Sequence, residues 1–383
     1  MTDVPAVLPE VRAAFDNHLA HADEAGATAL ALGLLRSGAA AEDILLRLIA
    51  PAQAAVGARW VAAEWSVAQE HAATHVSERV VNAVAAAAAG SWHPGSAPAR
   101  RVVFACVEGE RHTLPARIAA EVLRLRGFDV TFLGANVLAP HLLSHIHRQG
   151  PDLVCLSCMI PARLPAAHHL VECGRRAGAP VLVGGSGFGP GGVWARTIGA
   201  DLYASDPAVA AEMLALRWPR PPEAAEPLEH LADEEYFRIV RQRTELLGRL
   251  RVHVLERYPW LGDPGSQYAE AVMEDLGRLP DVVAAANYVD DPRVLTDYLS
   301  FGAQFLRARG VPTAVLGAAL ATLSERLRGL PRTAAHLDAG RRWLTAVGLG
   351  TCTPDDEAGT TGGPGERAGR DDDRGAGPTG ESG

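Results

Sequence analysis

The sequence predicts three folded units in series: a four-helix bundle over residues 8–90, a doubly wound parallel α/β domain over 100–218, and an all-α domain over 228–348. Three observations carry that division. Apolar residues recur at helical spacing through the first unit, short β-branched runs alternate with helical segments in the second, and helical spacing returns in the third with little strand character.

The bundle reads as VRAAFDNHLA, ATALALGLLRSG, AAEDILLRLIAPAQAAVGARW and VAQEHAATHVSERVVNAVAAAA, parted by glycine or polar breaks. SWHPGSAPARR at 91–101 is a Pro/Gly/Ser linker. Strands follow at RVVFACV, DVTFLG, DLVCLSC, PVLVGG and ADLYAS, with helical spacing in RIAAEVLRLRGFDV, PHLLSHIHRQ and AAHHLVECGRRAG between them. That alternation is the pattern of parallel strands joined by helical crossovers. PRPPEAAEP at 219–227 is a second linker. From 351 to 383 the chain is Gly, Asp and Pro without apolar residues, and disorder is expected there.

Composition narrows the function classes. At 383 residues, 48% hydrophobic and mean hydropathy +0.03, the chain has core material for several domains. A net charge of −9, a pI near 5.9 and the lack of any Lys/Arg cluster interleaved with aromatics argue against direct DNA binding. No signal-type segment opens the sequence and charge breaks the Ala-rich runs, so a cytoplasmic, membrane-free protein is expected. Cys106, Cys155, Cys158 and Cys173 fall in or beside strands and a helix, and Cys352 in the tail, with neither a disulfide nor a zinc spacing. Buried, reduced thiols are expected.

The stretch VEGERHTLPA, residues 107–116, places His112 in the loop between the first strand and the next helix. In an open α/β sheet the carboxyl ends of strands are where ligands bind, so this histidine either meets something from outside or merely caps the helix.

The loop has counterparts further along. Glu110-x-His112 in ERHTLP, then Ser157 to Met159 as SCM, then Gly184-Gly185, in that order inside a bundle-plus-sheet chain, resemble the signature of cobalamin-binding modules. The resemblance implies a Rossmann-like domain in which His112 is the lower axial ligand of cobalt and Glu110 accepts its other ring N–H. That arrangement orients an imidazole and sets its basicity. It also implies that Ser157 meets the displaced nucleotide tail beside Met159, Gly184 and Gly185. Pro115 stands where the family has glycine, a departure that bears on loop shape more than on the ligand.

In the bundle, Trp60, Val67 and Glu70-His71 in RWVAAEWSVAQEHAATH match the Trp-x9-Glu-His pattern of light-sensing adenosylcobalamin repressors. The resemblance implies that these residues cover the upper corrin face beside the adenosyl group. Val61 replaces a histidine found there in those repressors, so His71, His75 or water are the candidate ligands after photolysis. Those repressors place a DNA-binding domain before the bundle. Here the extra unit follows the sheet.

That unit, clearest in ARGVPTAVLGAALATL, is similar to globins and phycobiliproteins. FGAQFLRARGV carries Phe305 and Leu306 but no proximal histidine, which disfavours haem. Taken over residues 8 to about 348, the chain resembles the photocobilins, photoreceptors that combine cobalamin with biliverdin. No cysteine lies between Cys173 and Cys352, so biliverdin would be held non-covalently. Arg238, Arg241, Arg243, Arg251, His253, Arg257, Arg307 and Arg309 are possible propionate partners, and Tyr258, Trp260, Tyr288 and Tyr298 possible ring contacts. The expectation is a non-enzymatic light sensor whose homo-oligomeric state changes with light. The alternative is a corrinoid carrier of a methyltransferase system. A cobalamin-dependent mutase subunit is a third reading, disfavoured because no TIM-barrel region follows.

Overall fold

The computed structural model describes residues 8–89, 99–222, 227–263 and 268–348. The expected disorder of 351–383, and Cys352, fall outside them.

Four helices open the chain, as the periodicity predicts: α1 (Pro9–Ala20), α2 (Glu24–Arg36), α3 (Ala41–Val61) and α4 (Val67–Ala88). Local chemistry sets their starts. The Asp23 carboxylate accepts the Gly26 N–H at 2.9 Å, and Ser66 with Gln69 forms a reciprocal capping box ahead of α4. The middle of α3, Ile44–Ile49, has π-helical hydrogen bonding, a widened turn that apolar spacing does not announce. By length and composition α3 is apolar enough to cross a membrane, so the expectation that charge breaks every such run misses it. Its Ile44, Leu45, Leu48, Ile49 and Val56 are nonetheless buried inside the bundle.

The second unit is a five-stranded parallel sheet in the order β2-β1-β3-β4-β5. Its strands are β1 (Arg101–Cys106), β2 (Asp129–Gly134), β3 (Leu153–Ser157), β4 (Val181–Gly184) and β5 (Leu202–Ala204). Between them run α5 (Thr113–Leu125), α6 (Ala139–Gln149), α7 (Leu164–Arg176) and α8 (Val193–Thr197), with α9 (Pro207–Leu216) after β5. The doubly wound expectation holds. Strand order reverses between β1 and β3, so a crevice opens at their carboxyl ends. Side chains alternate strictly along β1. Val102, Phe104 and Cys106 pack with the bundle and α5, whereas Val103 and Ala105 pack on the opposite face with residues of α6 and α7.

The third unit is helical throughout: α10 (Glu235–Arg241), α11 (Arg243–Arg257), α12 (Ala269–Leu276), α13 (Leu279–Val289), α14 (Arg293–Ala308), α15 (Ala314–Leu327) and α16 (Pro331–Ala346). Its core is continuous with one face of the sheet. One apolar cluster runs from Val103, Val154 and Val183 of the sheet through Leu142 and Leu170 into Val283, Leu299 and Leu320. The linker at 219–227 therefore marks a break in pattern along the chain and not a break in packing. Polar contacts reinforce the junction, His168 Nδ1 lying 2.7 Å from the Tyr288 hydroxyl and Trp194 Nε1 donating to Asp291 at 3.0 Å. Inside the unit, the buried Glu235 carboxylate accepts from the Thr333 N–H at 2.8 Å, its hydroxyl at 2.7 Å and the Arg332 N–H at 3.0 Å, which caps α16.

Candidate cofactor site at the carboxyl end of the sheet

Beyond the end of β1, the Val107 N–H still donates to Ser157 O at 3.1 Å, so the two carboxyl ends stay in register. The chain then turns through Gly109, whose φ of +79° suits glycine and whose missing Cβ would lie 2.8 Å from the Arg163 guanidinium carbon. Glu110 follows, fully buried. Its Oε1 accepts from the His112 backbone N–H at 2.9 Å and faces ring Nδ1 at 2.5 Å, while Oε2 accepts from the Met159 N–H at 2.7 Å. Burial alone would push this carboxyl up, but these donors outweigh it and hold it below the ordinary value. Glu110 is thus a buried anion that ties the loop after β1 to the loop after β3.

Asn136, which sequence reasoning passed over, adds the loop after β2. It sits at φ +52°, accepts from the Gly109 N–H at 2.8 Å through its side chain, and donates its backbone N–H to Glu110 O at 3.1 Å. The available signal was an asparagine just past a strand, a residue that tolerates the left-handed region.

His112 occupies the N-cap position of α5, yet its side chain makes no capping bond there. The helix-cap reading is therefore set aside. With Nδ1 committed to Glu110, the remaining lone pair is on Nε2, and the side chain is 58% exposed. The bond to Glu110 raises the His112 pKa against the opposing effect of burial, with the Glu70 carboxylate adding to the rise and the Arg278 guanidinium opposing it. Pro115 lies in the first turn of α5, where no intrahelical N–H is lost.

The other predicted elements gather at the same edge. Ser157 closes β3 and is buried, and Met159 O accepts from the Ser186 hydroxyl at 2.9 Å. At Gly185, φ is +110° and a Cβ would come within 2.2 Å of Cys158 O, so only glycine fits; at Gly184 it would meet Ala204 O at 3.2 Å. Glu110, His112, Ser157, Met159, Gly184 and Gly185 thus all lie at this carboxyl edge. Among the described residues no group of three or more His, Cys, Asp or Glu side chains is arranged for a metal ion. One outward-facing imidazole beside bare glycine backbone fits a metal that arrives within its own macrocycle, as in cobalamin.

The bundle residues divide. Trp60, next to last in α3, has its ring centroid 5.5 Å from that of Phe305 and 6.5 Å from that of Phe301, both on α14. Glu70 is held by a chain in which Gln53 Nε2 donates to Thr74 Oγ1 at 2.6 Å and Thr74 donates to Glu70 Oε1 at 2.8 Å. His71, 74% exposed, lies 3.5 Å from Glu70, and Val67 is also exposed, so neither is held by packing as Trp60 is against α14 or by hydrogen bonds as Glu70 is. Several residues weighed as bilin contacts have other roles. Arg309 is buried against Trp60, Arg243 pairs with Asp281 at 2.6 Å, and Tyr298 donates to Asp275 at 2.7 Å. Tyr258 and Tyr288 are buried core residues.

Residues 100–212 match the family described as B12 binding domain, and residues 11–85 match a second family of the same description. Trimethylamine corrinoid protein 2 of Methanosarcina acetivorans is 30% identical over 106 residues, 27% of this chain and 48% of that protein. The HTH-type transcriptional repressor CarH of Myxococcus xanthus is 34% identical over 143 residues, 36% of this chain and 46% of that one. The chain thus spans about half the length of these curated relatives. Among solved structures, the Methanosarcina barkeri monomethylamine corrinoid protein aligns over 54% of this chain and 99% of its own, at 21% identity and a TM-score of 0.46. These matches, over residues 11–85 of the bundle and 100–212 of the sheet, support a cobalamin-binding module.

Proposed function

We propose that the protein is a cytoplasmic, non-enzymatic light sensor that binds adenosylcobalamin through His112 and holds biliverdin non-covalently in a globin-like third unit. Adenosylcobalamin supplies a cobalt–carbon bond that visible light cleaves. His112 offers Nε2 to the lower face, and the buried Glu110 carboxylate keeps the Nδ1 proton and fixes the ring. Ser157, Gly184 and Gly185 leave room at the strand ends for the nucleotide tail. Trp60 and Glu70 cover the upper face, with His71 and Val67 at its solvent edge.

The observation that carries this reading over the carrier alternative is the backing of Trp60. A methyl carrier must open its upper face to partner enzymes, whereas Trp60 is held in place by contacts with Phe301, Phe305 and Arg309 of the third unit. A pinned cover suits a group that stays until light removes it. The resemblance to corrinoid proteins of methylamine metabolism keeps the carrier as the alternative.

Size-exclusion chromatography of the adenosylcobalamin-loaded chain in darkness and after green light tests the proposal. A light-dependent change in elution supports the sensor. Identical elution, with methyl transfer from a corrinoid methyltransferase, supports the carrier. Co-expression with haem oxygenase tests the bilin: far-red colour that denaturation releases supports it, and a colourless product removes it.

A further inference from the structure

Arg309 is only 6% exposed, and a buried guanidinium needs partners, which it finds across the boundary between units. Its Nη2 donates to Trp60 O at 2.8 Å and its Nη1 to Val61 O at 3.0 Å and Phe305 O at 3.1 Å. The guanidinium carbon lies 3.6 Å from the Phe305 ring centroid and 5.7 Å from those of Trp60 and Tyr268. Trp60 and Val61 are the last two residues of α3, where carbonyls run out of helical partners and a cation is favoured. Ala63 then leaves the helix in the left-handed region at φ +57°. A residue about 250 positions later in the chain therefore finishes the helix that presents Trp60, and the same side chain lies against the indole.

We infer that Arg309 is a positioning residue for Trp60, which makes the third unit part of the cobalamin site. The inference rests on the adenosylcobalamin reading above. The Arg309 fork and the Phe305 ring fix the turn and tilt of the indole against which, in that reading, the adenosyl group packs. Only corrinoids that carry a bulky upper group feel this support. Hydroxocobalamin, held from below by His112, does not.

The test is absorbance titration of the full chain in darkness with adenosylcobalamin and with hydroxocobalamin. Arg309→Met keeps an unbranched apolar stem but loses every donor. It is expected to weaken adenosylcobalamin about tenfold while hydroxocobalamin stays within about twofold of wild type. Arg309→Lys keeps the charge without the fork and is expected to recover part of the loss. Phe305→Leu should give the same split, and carries the test if Arg309→Met yields no folded protein. Equal weakening of both corrinoids would make Arg309 a strut between units and overturn the inference, as would no change in either. Wild-type protein that binds hydroxocobalamin but not adenosylcobalamin would instead overturn the adenosyl reading, and the inference with it.

Discussion

At Glu110 and His112 a two-residue spacing in the sequence becomes a specific electrostatic device. The carboxylate is fully buried, yet three donors hold it ionised, and its strongest contact fixes one nitrogen of an imidazole whose other nitrogen faces outward. His112→Ala is expected to lose the spectrum of histidine-bound cobalamin and most of the affinity, read by absorbance titration; normal binding would remove the assignment. Glu110→Gln keeps the shape but gives Met159 and His112 a neutral partner. A loss of about 10-fold to 100-fold in affinity is expected for such an outer partner of a metal ligand. Gly185→Ala should be worse than a typical surface change, costing roughly 1–3 kcal/mol in thermal stability through the left-handed backbone and the clash with Cys158 O. The strand pattern placed His112 in a loop at the carboxyl end of the sheet, whereas Glu110 as its partner and Gly184-Gly185 were legible only through the resemblance to cobalamin-binding modules. Asn136 was not legible, since its role depends on two loops meeting that are separated by a helix and a strand.

Elements were legible wherever periodicity was strong. All five strands and the four bundle helices stand within a few residues of their predicted spans, because short β-branched runs and long stretches of helical apolar spacing leave little choice of type. The π-helical turn in α3 was hidden, since the same apolar residues satisfy an α-helix equally well. So was the cap of α16, where the partner Glu235 is 98 residues away from Thr333. That cap makes a pH prediction. Burial opposes ionisation of Glu235, but the Thr333 and Arg332 donors prevail and depress its pKa below the ordinary value. Its contribution to stability is thus complete above about pH 4.5 and is lost as pH falls through the depressed folded value. Glu235→Gln is expected to lower stability by about 2 kcal/mol at pH 7 and to flatten the acid limb of a melting-temperature profile. An unaltered acid limb would show that the carboxylate is not the titrating group.

For the molecule as a whole, the order of three units was legible but their fusion was not. Linker composition at 219–227 signals a boundary, whereas burial depends on which faces meet, and the face of the sheet that carries Val103, Val154 and Val183 continues into α13, α14 and α15. Helical spacing marks a helix as amphipathic without saying what lies against its apolar side. A chain ending at residue 227 should therefore expose apolar surface on α7 that α13 now covers. It is expected to be aggregation-prone, and calorimetry of the full chain should show the second and third units melting together. Separate transitions for these two units, with a soluble and stable truncation, would contradict the continuous core.

The central claim joins the lower ligand to light. Its most direct measurement is the absorbance spectrum of the full chain loaded with adenosylcobalamin, taken in darkness and again after green light, for wild type and for His112→Ala. The account predicts a histidine-bound spectrum in wild type that converts on illumination to that of a cobalamin without its adenosyl group, and no histidine-bound spectrum in the variant. A wild-type spectrum unchanged by green light, or one that His112→Ala leaves intact, would contradict it.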